Sequence, residues 1–341
     1  MSHDRRKFLA GSAGALGAAV FGRLPLELLA EQGAPPPVRD WDAGRVRHLL
    51  PAVSDTRLLL KAAFDRTLSA APTLRVGGIS ATGRMNDTAG EYWQFYASGL
   101  QPGRRYELSL AGADGGALCE PWPLSTFPAR DDSPERLRVL FFTCAGGPGG
   151  VYSGIGERSG FLPTAIRNRL LRRALSFAPD AAIANGDHIY WDLHTWLGEN
   201  AGQLSPAGRR SNFNFSASVF SAGNEAALKA AAGPQIVPVY GTDFRSTPIF
   251  FLQDDHDHWE NDAVTDEIAN FPISWFQLQL ARATQQLYYP EFLPDAARPP
   301  GLPWSGTSDR GDLSESFGTL RYGALAEILL YDVRRTVSLA G

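Results

Sequence analysis

The spacing of hydrophobic and polar positions changes near residue 135. From about Arg45 to Phe127, short apolar segments alternate with polar positions, and turns rich in Gly and Pro separate them. Strict alternation bounded by turn residues predicts β-strands with one buried face. The segments predicted as strands are 57–62, 73–77, 91–96, 100–110 and 121–127.

One turn in this region carries a more specific pattern. Leu100-Gln101-Pro102-Gly103 leads into a segment that contains Tyr106. A turn of this kind before a Tyr-bearing strand resembles the tyrosine corner of fibronectin type III sandwiches. We therefore predict a fibronectin III-like β-sandwich over residues 45–128.

After a polar linker at 129–135 the apolar runs become continuous and alternate with helical spacing. Buried strands are predicted at 137–142, 180–184, 248–253 and 322–330. Helices are predicted at 165–177, ending at Pro179, and at 224–232, ending at Gly233-Pro234. Strands that are apolar throughout and alternate with helices favour an α/β domain whose sheet is covered on both faces. We place this domain at residues 136–341.

The N-terminus carries a targeting pattern. Arg5-Arg6 precedes a moderately apolar run, 9–21, that is rich in Gly and Ala. This pattern resembles a twin-arginine signal, so we expect residues 1–33 to be a signal peptide read by the twin-arginine export machinery. The expected location is then periplasmic or extracellular. An amphipathic helix or a disordered start is the alternative, and the run is too short for a stable membrane span.

Composition narrows the possible functions. The 341 residues are 44% apolar and 20% charged, with a net charge of -4. We find no basic stripe with interleaved aromatic residues, so no nucleic-acid-binding surface is predicted. The chain has only two cysteines, Cys119 and Cys144, which excludes a disulfide-dense scaffold and a CxxC zinc site.

Residues that can bind metal follow three of the predicted strands. Cys144 follows the first, Asp187 the second, and Asp254, Asp255 and His256 the third. Ligands of α/β sheets gather at the carboxyl ends of the strands, so these side chains are expected to converge. Clustered carboxylates repel one another unless a cation lies among them, although a solvated acidic loop is the alternative. Carboxylates suit hard cations, whereas His and Cys shift the preference toward iron or zinc.

Three motifs together resemble one family. Phe142-Thr143-Cys144, Gly186-Asp187-x-x-Tyr190 and Asp254-Asp255-His256-Asp257 resemble the alkaline phosphatase D (PhoD-like) family of calcineurin-like metallophosphoesterases. The resemblance implies a β-sandwich followed by a four-layer αββα metallophosphatase domain. It also implies an exported phosphoester hydrolase, an alkaline phosphatase or phosphodiesterase, that attacks a phosphate ester with a metal-activated water or hydroxide.

The resemblance also assigns roles to individual residues. The implied metal ligands are Cys144, Asp187, Tyr190, Asp255 and Asn261. The implied catalytic residues are His256, as a phosphate-facing donor or acid, and Asp254. Iron and calcium are the expected metals, with zinc or manganese as alternatives.

Several of these residues have ordinary alternatives. Cys144 could be a core cysteine or could form a disulfide with Cys119. His188 and His258 could simply line the cleft. Arg334 and Arg335 follow a predicted strand and could face phosphate, although a surface arginine pair is the commoner arrangement.

The sequence departs from the family after His258. The family completes its metal site with late histidines, and this chain has none beyond that residue. We therefore expect the metallophosphatase domain to be incomplete at its C-terminus, as a fragment of a longer enzyme rather than an inactive remnant. The alternatives are a purple-acid-phosphatase-like enzyme and a truncated binding module without activity. Purple acid phosphatases share Gly-Asp-x-x-Tyr but have Asp-x-Gly and Gly-Asn-His-Glu where this chain has Thr-Cys-Ala and Asp-Asp-His-Asp.

Overall fold

The structure is a computed structural model, which describes residues 40–147, 150–151, 160–191, 212–258, 275–293, 317–332 and 334. The predicted signal peptide and Asn261 lie outside these residues. Asp42–Gly341 form one compact unit. Within the described part of the chain, no helix is both long enough and apolar enough to cross a membrane.

The first part of this unit contains two antiparallel four-stranded sheets. Its strands are β1 (Val46–Val53), β2 (Arg57–Phe64), β3 (Thr73–Val76), β4 (Ile79–Thr82), β5 (Arg84–Met85), β6 (Tyr92–Ser98), β7 (Arg105–Ala111) and β8 (Trp122–Ser125). One sheet has the order β1-β2-β6-β5 and the other β4-β3-β7-β8. The Gln101 backbone N–H donates to the Tyr106 hydroxyl at 2.7 Å, so Tyr106 holds the turn that precedes β7.

Strand β1 was not predicted because nearly all of its side chains are buried, so polar and apolar positions do not alternate. The cause is the packing of β1 against other parts of the protein. β1 contacts β2 on one side and elements of the α/β part on the other. Leu50 of β1 and Tyr92 of β6 belong to the same hydrophobic cluster as residues of the α/β part.

The second part is built on a three-stranded parallel sheet. Its elements are β9 (Val139–Phe142), β10 (Gly150–Val151), β11 (Gly160–Phe161), α1 (Thr164–Leu175), β12 (Ala181–Asn185), α2 (Ala222–Tyr240), β13 (Ile249–Leu252), a 3-10 turn (His256–His258) and α3 (Trp275–Tyr288). The sheet has the order β13-β12-β9, with β12 parallel to both neighbours. The three strands predicted at 137–142, 180–184 and 248–253 therefore end at one edge.

Helix α2 is longer than predicted. Gly233-Pro234 was expected to end it, but it continues to Tyr240 through both Pro234 and Pro238. Each proline removes a backbone N–H donor and crowds the preceding turn. The buried face beyond Pro234, which includes Ile236 and Val239, outweighs that local cost because it packs into the main core.

The strand predicted at 322–330 is wrong in its extent. The structure has an antiparallel hairpin there, β14 (Phe317–Tyr322) and β15 (Ala326–Tyr331). Gly323 turns the chain with a φ of +57°, a conformation that glycine adopts without steric cost. The flanking apolar residues had concealed this turn.

The two faces of the parallel sheet differ. The helices pack against the face that carries Ala182, Ala184 and Phe251. On the other face Phe141 is 60% exposed, and an open groove runs between the sheet and β15. Among the described residues, helices therefore cover one face only, whereas the sequence predicted cover on both.

Candidate metal centre

The loops that follow β9 and β12 are hydrogen-bonded to each other. The Cys144 N–H donates to the Gly186 carbonyl at 3.2 Å, and the Gly146 N–H donates to the Asp187 carbonyl at 3.0 Å. Cys144 and Asp187 both have positive φ values, 55° and 58°. Left-handed backbone at residues other than glycine is costly and tends to occur at functional sites.

Asp187 is the centre of the cluster. Its Oδ2 lies 3.2 Å from the Cys144 Sγ and 3.1 Å from the Tyr190 hydroxyl oxygen. Its other carboxylate oxygen, Oδ1, is buried and has no hydrogen-bond partner among the described residues. A buried carboxylate oxygen without a donor is unfavourable unless a cation or water satisfies it.

Asp255 and His256 approach Asp187 from the end of β13. One ligand atom from each of the three residues lies within 4.8 Å of the others. The His256 ring also lies against Tyr190, with the ring centroids 4.2 Å apart. The structure thus brings together five of the residues predicted at the site: Cys144, Asp187, Tyr190, Asp255 and His256.

The electrostatics of the cluster favour a cation. Burial raises the pKa of Tyr190 above its usual range, and the neighbouring Asp187 and Cys144 raise it further. The pKa of the Cys144 thiol is raised by burial and by Asp187, while a hydrogen bond with Thr143 opposes the shift. Phenol and thiol groups ligate metals in their deprotonated forms. A bound cation would stabilise these anions where the protein alone disfavours them.

The donor set fits metal ions. Thiolate and imidazole suit iron or zinc, whereas carboxylate oxygen suits a harder ion such as calcium. The unsatisfied Asp187 Oδ1 marks where positive charge is needed. The position of Asn261 relative to this group lies outside the described residues.

Asp254 points to a different partner. Its Oδ1 accepts a hydrogen bond from the Arg334 Nε at 2.5 Å and another from the Asp255 N–H at 3.0 Å. Its side chain is therefore engaged with the segment after β15 rather than with the Asp187 group. Arg334 thus contacts the acidic motif after β13, and its side chain is only 20% exposed.

The histidine next to Asp187 has a structural role, and neither cysteine forms a disulfide. His188 is buried, its Nε2 donates to the Leu252 carbonyl at 2.7 Å, and burial lowers its pKa to about 4. It is a neutral core histidine. Cys119 and Cys144 are both free thiols, and Cys144 is exposed rather than part of the core. Cys144 is therefore neither a core cysteine nor part of a disulfide with Cys119.

Three residues support the site in ways that the sequence did not indicate. The Gln235 side-chain oxygen accepts the N–H of Gly147 at 3.1 Å and that of Tyr190 at 2.9 Å. The Arg167 guanidinium donates to the carbonyls of Ala145 and Gly147 at 2.7 and 2.9 Å. Asp257 is the third, and its contacts are described below. Gln235 and Arg167 are single polar residues in ordinary contexts, and no sequence signal distinguishes them, whereas Asp257 belongs to the acidic motif after β13 but was given no role of its own.

In comparisons with known proteins, the chain is similar to solved structures only. No family model matches the chain, and no curated protein matches it. The chain is similar to a structure of PhoD, with 17% identity and a TM-score of 0.48, over 89% of this chain and 54% of that one. It is also similar to the purple acid phosphatase PPD1 from yellow lupin (Lupinus luteus) seeds, with 13% identity and a TM-score of 0.45, over 81% of this chain and 43% of that one. The chain thus spans about half the length of these two proteins.

Proposed function

We propose that this chain forms part of an exported, metal-dependent phosphoester hydrolase. One observation carries the proposal: Asp187, with its unsatisfied buried oxygen, is surrounded by Cys144, Tyr190, Asp255 and His256. These groups come from the ends of three parallel strands. A bound cation would neutralise the carboxylates and stabilise the deprotonated forms of Cys144 and Tyr190, whose pKa values are raised.

The residues divide into holding groups and reacting groups. Cys144, Asp187, Tyr190 and Asp255 would hold iron and calcium, or zinc or manganese in their place. When bound, such cations neutralise phosphoryl oxygens and lower the pKa of a water molecule beside the phosphate. His256 is half-buried beside Asp187 and Tyr190 and would donate a proton to the leaving oxygen. Asp254 fixes the Arg334 guanidinium, which can then pair with a phosphoryl oxygen.

Substrate and location are further parts of the proposal. A phosphate monoester or diester matches the need for cations and an arginine. The paired arginines at 5–6 support export through the twin-arginine machinery. The sheet order and the Tyr106 contact support a fibronectin III-like identity for the two antiparallel sheets.

The test combines metal analysis with turnover. Purified protein is expected to contain iron or calcium and to cleave p-nitrophenyl phosphate or bis-p-nitrophenyl phosphate. Asp187→Asn keeps the side-chain shape and removes the central negative charge, so metal content and turnover should both fall by more than tenfold. Full turnover in metal-free protein would contradict the proposal.

The same experiment separates the rival functions. A binding module would retain phosphate binding without turnover in the wild-type protein. A purple-acid-phosphatase-like enzyme would not need a thiolate, so Cys144→Ser would leave its metal content unchanged. The 3.2 Å contact between Cys144 Sγ and Asp187 Oδ2 favours the PhoD-like arrangement, in which metal content falls.

A further inference from the structure

The Asp257 side chain accepts four backbone hydrogen bonds at the site. Its Oδ2 accepts the N–H groups of Asp187 at 2.9 Å and Asp254 at 3.0 Å. Its Oδ1 accepts those of His188 at 2.9 Å and Ile189 at 3.0 Å. One carboxylate thus collects four backbone donors from two loops that are about seventy positions apart in the sequence.

These contacts exclude Asp257 from the reacting surface. The residue is 1% exposed, and both of its oxygens already have two donors each. A metal ligand would need an oxygen directed at the ion. Asp257 therefore differs in role from its neighbours Asp254 and Asp255, although all three lie in one acidic motif.

The two loops joined by Asp257 carry four of the five residues of the cluster around Asp187. The loop after β12 bears Asp187 and Tyr190, and the loop after β13 bears Asp255 and His256. Asp187, Asp254 and their neighbours can keep their left-handed or turn conformations only if the backbone N–H groups find acceptors. The two carboxylate oxygens of Asp257 accept all four of these N–H groups.

We propose that Asp257 is a positioning residue that sets the spacing between the two ligand loops before any metal binds. The inference rests on the proposed function, because it describes the same site. Residues that hold metal ligands in place commonly change metal affinity about 10- to 100-fold when they are replaced.

Asp257→Asn is the informative variant. It preserves shape but replaces one carboxylate oxygen with an N–H₂ group, which would face two backbone N–H donors whichever oxygen is replaced. The matched control is Asp87→Asn. Asp87 is another buried carboxylate, in the loop between β5 and β6. It accepts the N–H groups of Gly90, Glu91 and Tyr92 at 3.0 to 3.2 Å and forms an ion pair with Lys229 of α2 at 2.5 Å.

The experiment titrates metal-free protein with Co²⁺ and records the thiolate-to-cobalt absorption from Cys144, together with kcat and KM after loading. We expect Asp257→Asn to bind Co²⁺ at least tenfold more weakly and to show an altered absorption band. Asp87→Asn is expected to lose stability while keeping the wild-type Co²⁺ affinity and band. If Asp257 had a merely structural role, the Co²⁺ affinity would fall by the same factor in both variants.

Two outcomes would contradict the inference alone, and a third would contradict both the inference and the proposed function. Wild-type Co²⁺ affinity and an unchanged band in Asp257→Asn would contradict it while leaving the proposed function intact. Rapid hydrogen exchange at His188 and Ile189 in metal-free wild-type protein would also contradict it, and this measurement holds even if the variant does not fold. Failure of the wild-type protein to bind Co²⁺ would overturn the proposed function and this inference together.

Discussion

Gly186 lies directly against Asp254: a Cβ atom on residue 186 would be 2.4 Å from the Asp254 Cβ, and Gly186 has a φ of +82°. The first feature leaves no space for a side chain, and the second disfavours any residue with one. Glycine at this position thus lets the loops after β12 and β13 approach closely enough for their ligands to meet.

Replacing Gly186 should therefore damage both stability and the site. We expect Gly186→Ala to lower the free energy of unfolding by more than the roughly 1–2 kcal/mol of left-handed strain alone, because the clash adds to it. Urea unfolding and the metal content measure the two effects. Gly99→Ala is the control, since Gly99 has a φ of +78° and no atom within 4 Å of its Cβ position. Equal losses in the two variants would show that the close approach is unimportant.

Gln235 links helix α2 to the loops after β9 and β12. Gln235→Leu would leave the N–H groups of Gly147 and Tyr190 without their acceptor, at a cost of about 1–3 kcal/mol for each buried group. Gln235→Glu retains an acceptor for both and should be the milder change. Urea unfolding curves and kcat compare the variants, and a Leu variant as stable and active as the Glu variant would contradict this role.

A buried ion pair joins the antiparallel sheets to the segment after α3. Lys61 Nζ lies 2.8 Å from Glu291 Oε2, and their side chains are 1% and 3% exposed. Lys61→Met should lower the free energy of unfolding by about 3–5 kcal/mol, because it removes the positive partner of a buried carboxylate. The double variant Lys61→Met with Glu291→Met should recover much of this loss. Thermal unfolding checks both, and a double variant less stable than the single one would contradict the explanation.

His48 should contribute to the acid sensitivity of the fold. Burial lowers its pKa from 6.5 to about 4, while a hydrogen bond to the Tyr288 carbonyl opposes the shift. Between these values the unfolded chain binds the proton more strongly, so the stability that is present above about pH 6.5 is lost as the pH falls toward 4. The loss is roughly 2–3 kcal/mol for this one group.

His48→Gln isolates that contribution. The amide can still donate to the Tyr288 carbonyl but does not titrate. The difference in unfolding free energy between wild type and variant should be constant above pH 7 and should shift in favour of the variant toward pH 4. Urea unfolding at several pH values measures it, with His188 present in both proteins. Parallel pH profiles would show that His48 is not buried as a neutral group.

The sequence predicted well where a property depends on neighbours along the chain. The apolar runs at 137–142, 180–184 and 248–253 correspond to β9, β12 and β13, and Pro179 does follow helix α1. It predicted poorly where tertiary packing outweighs local preference. Helix α2 passes through Pro234 because its buried face packs into the core, and β1 lacks alternation because both of its faces are covered.

The sequence by itself determined which residue types follow the three strands, and parallel strands end at one edge, so the convergence of Cys144, Asp187 and Asp255 could be anticipated. Only the tertiary structure decided which role each of the neighbouring aspartates takes. Asp254 pairs with Arg334, Asp255 joins Asp187, and Asp257 binds backbone N–H groups. The physical reason is that each carboxylate takes its role from groups that are close in space but far away along the chain. These groups are Arg334 for Asp254, Asp187 for Asp255 and the N–H groups of residues 187–189 for Asp257. Periodicity and composition contain no information about those distances.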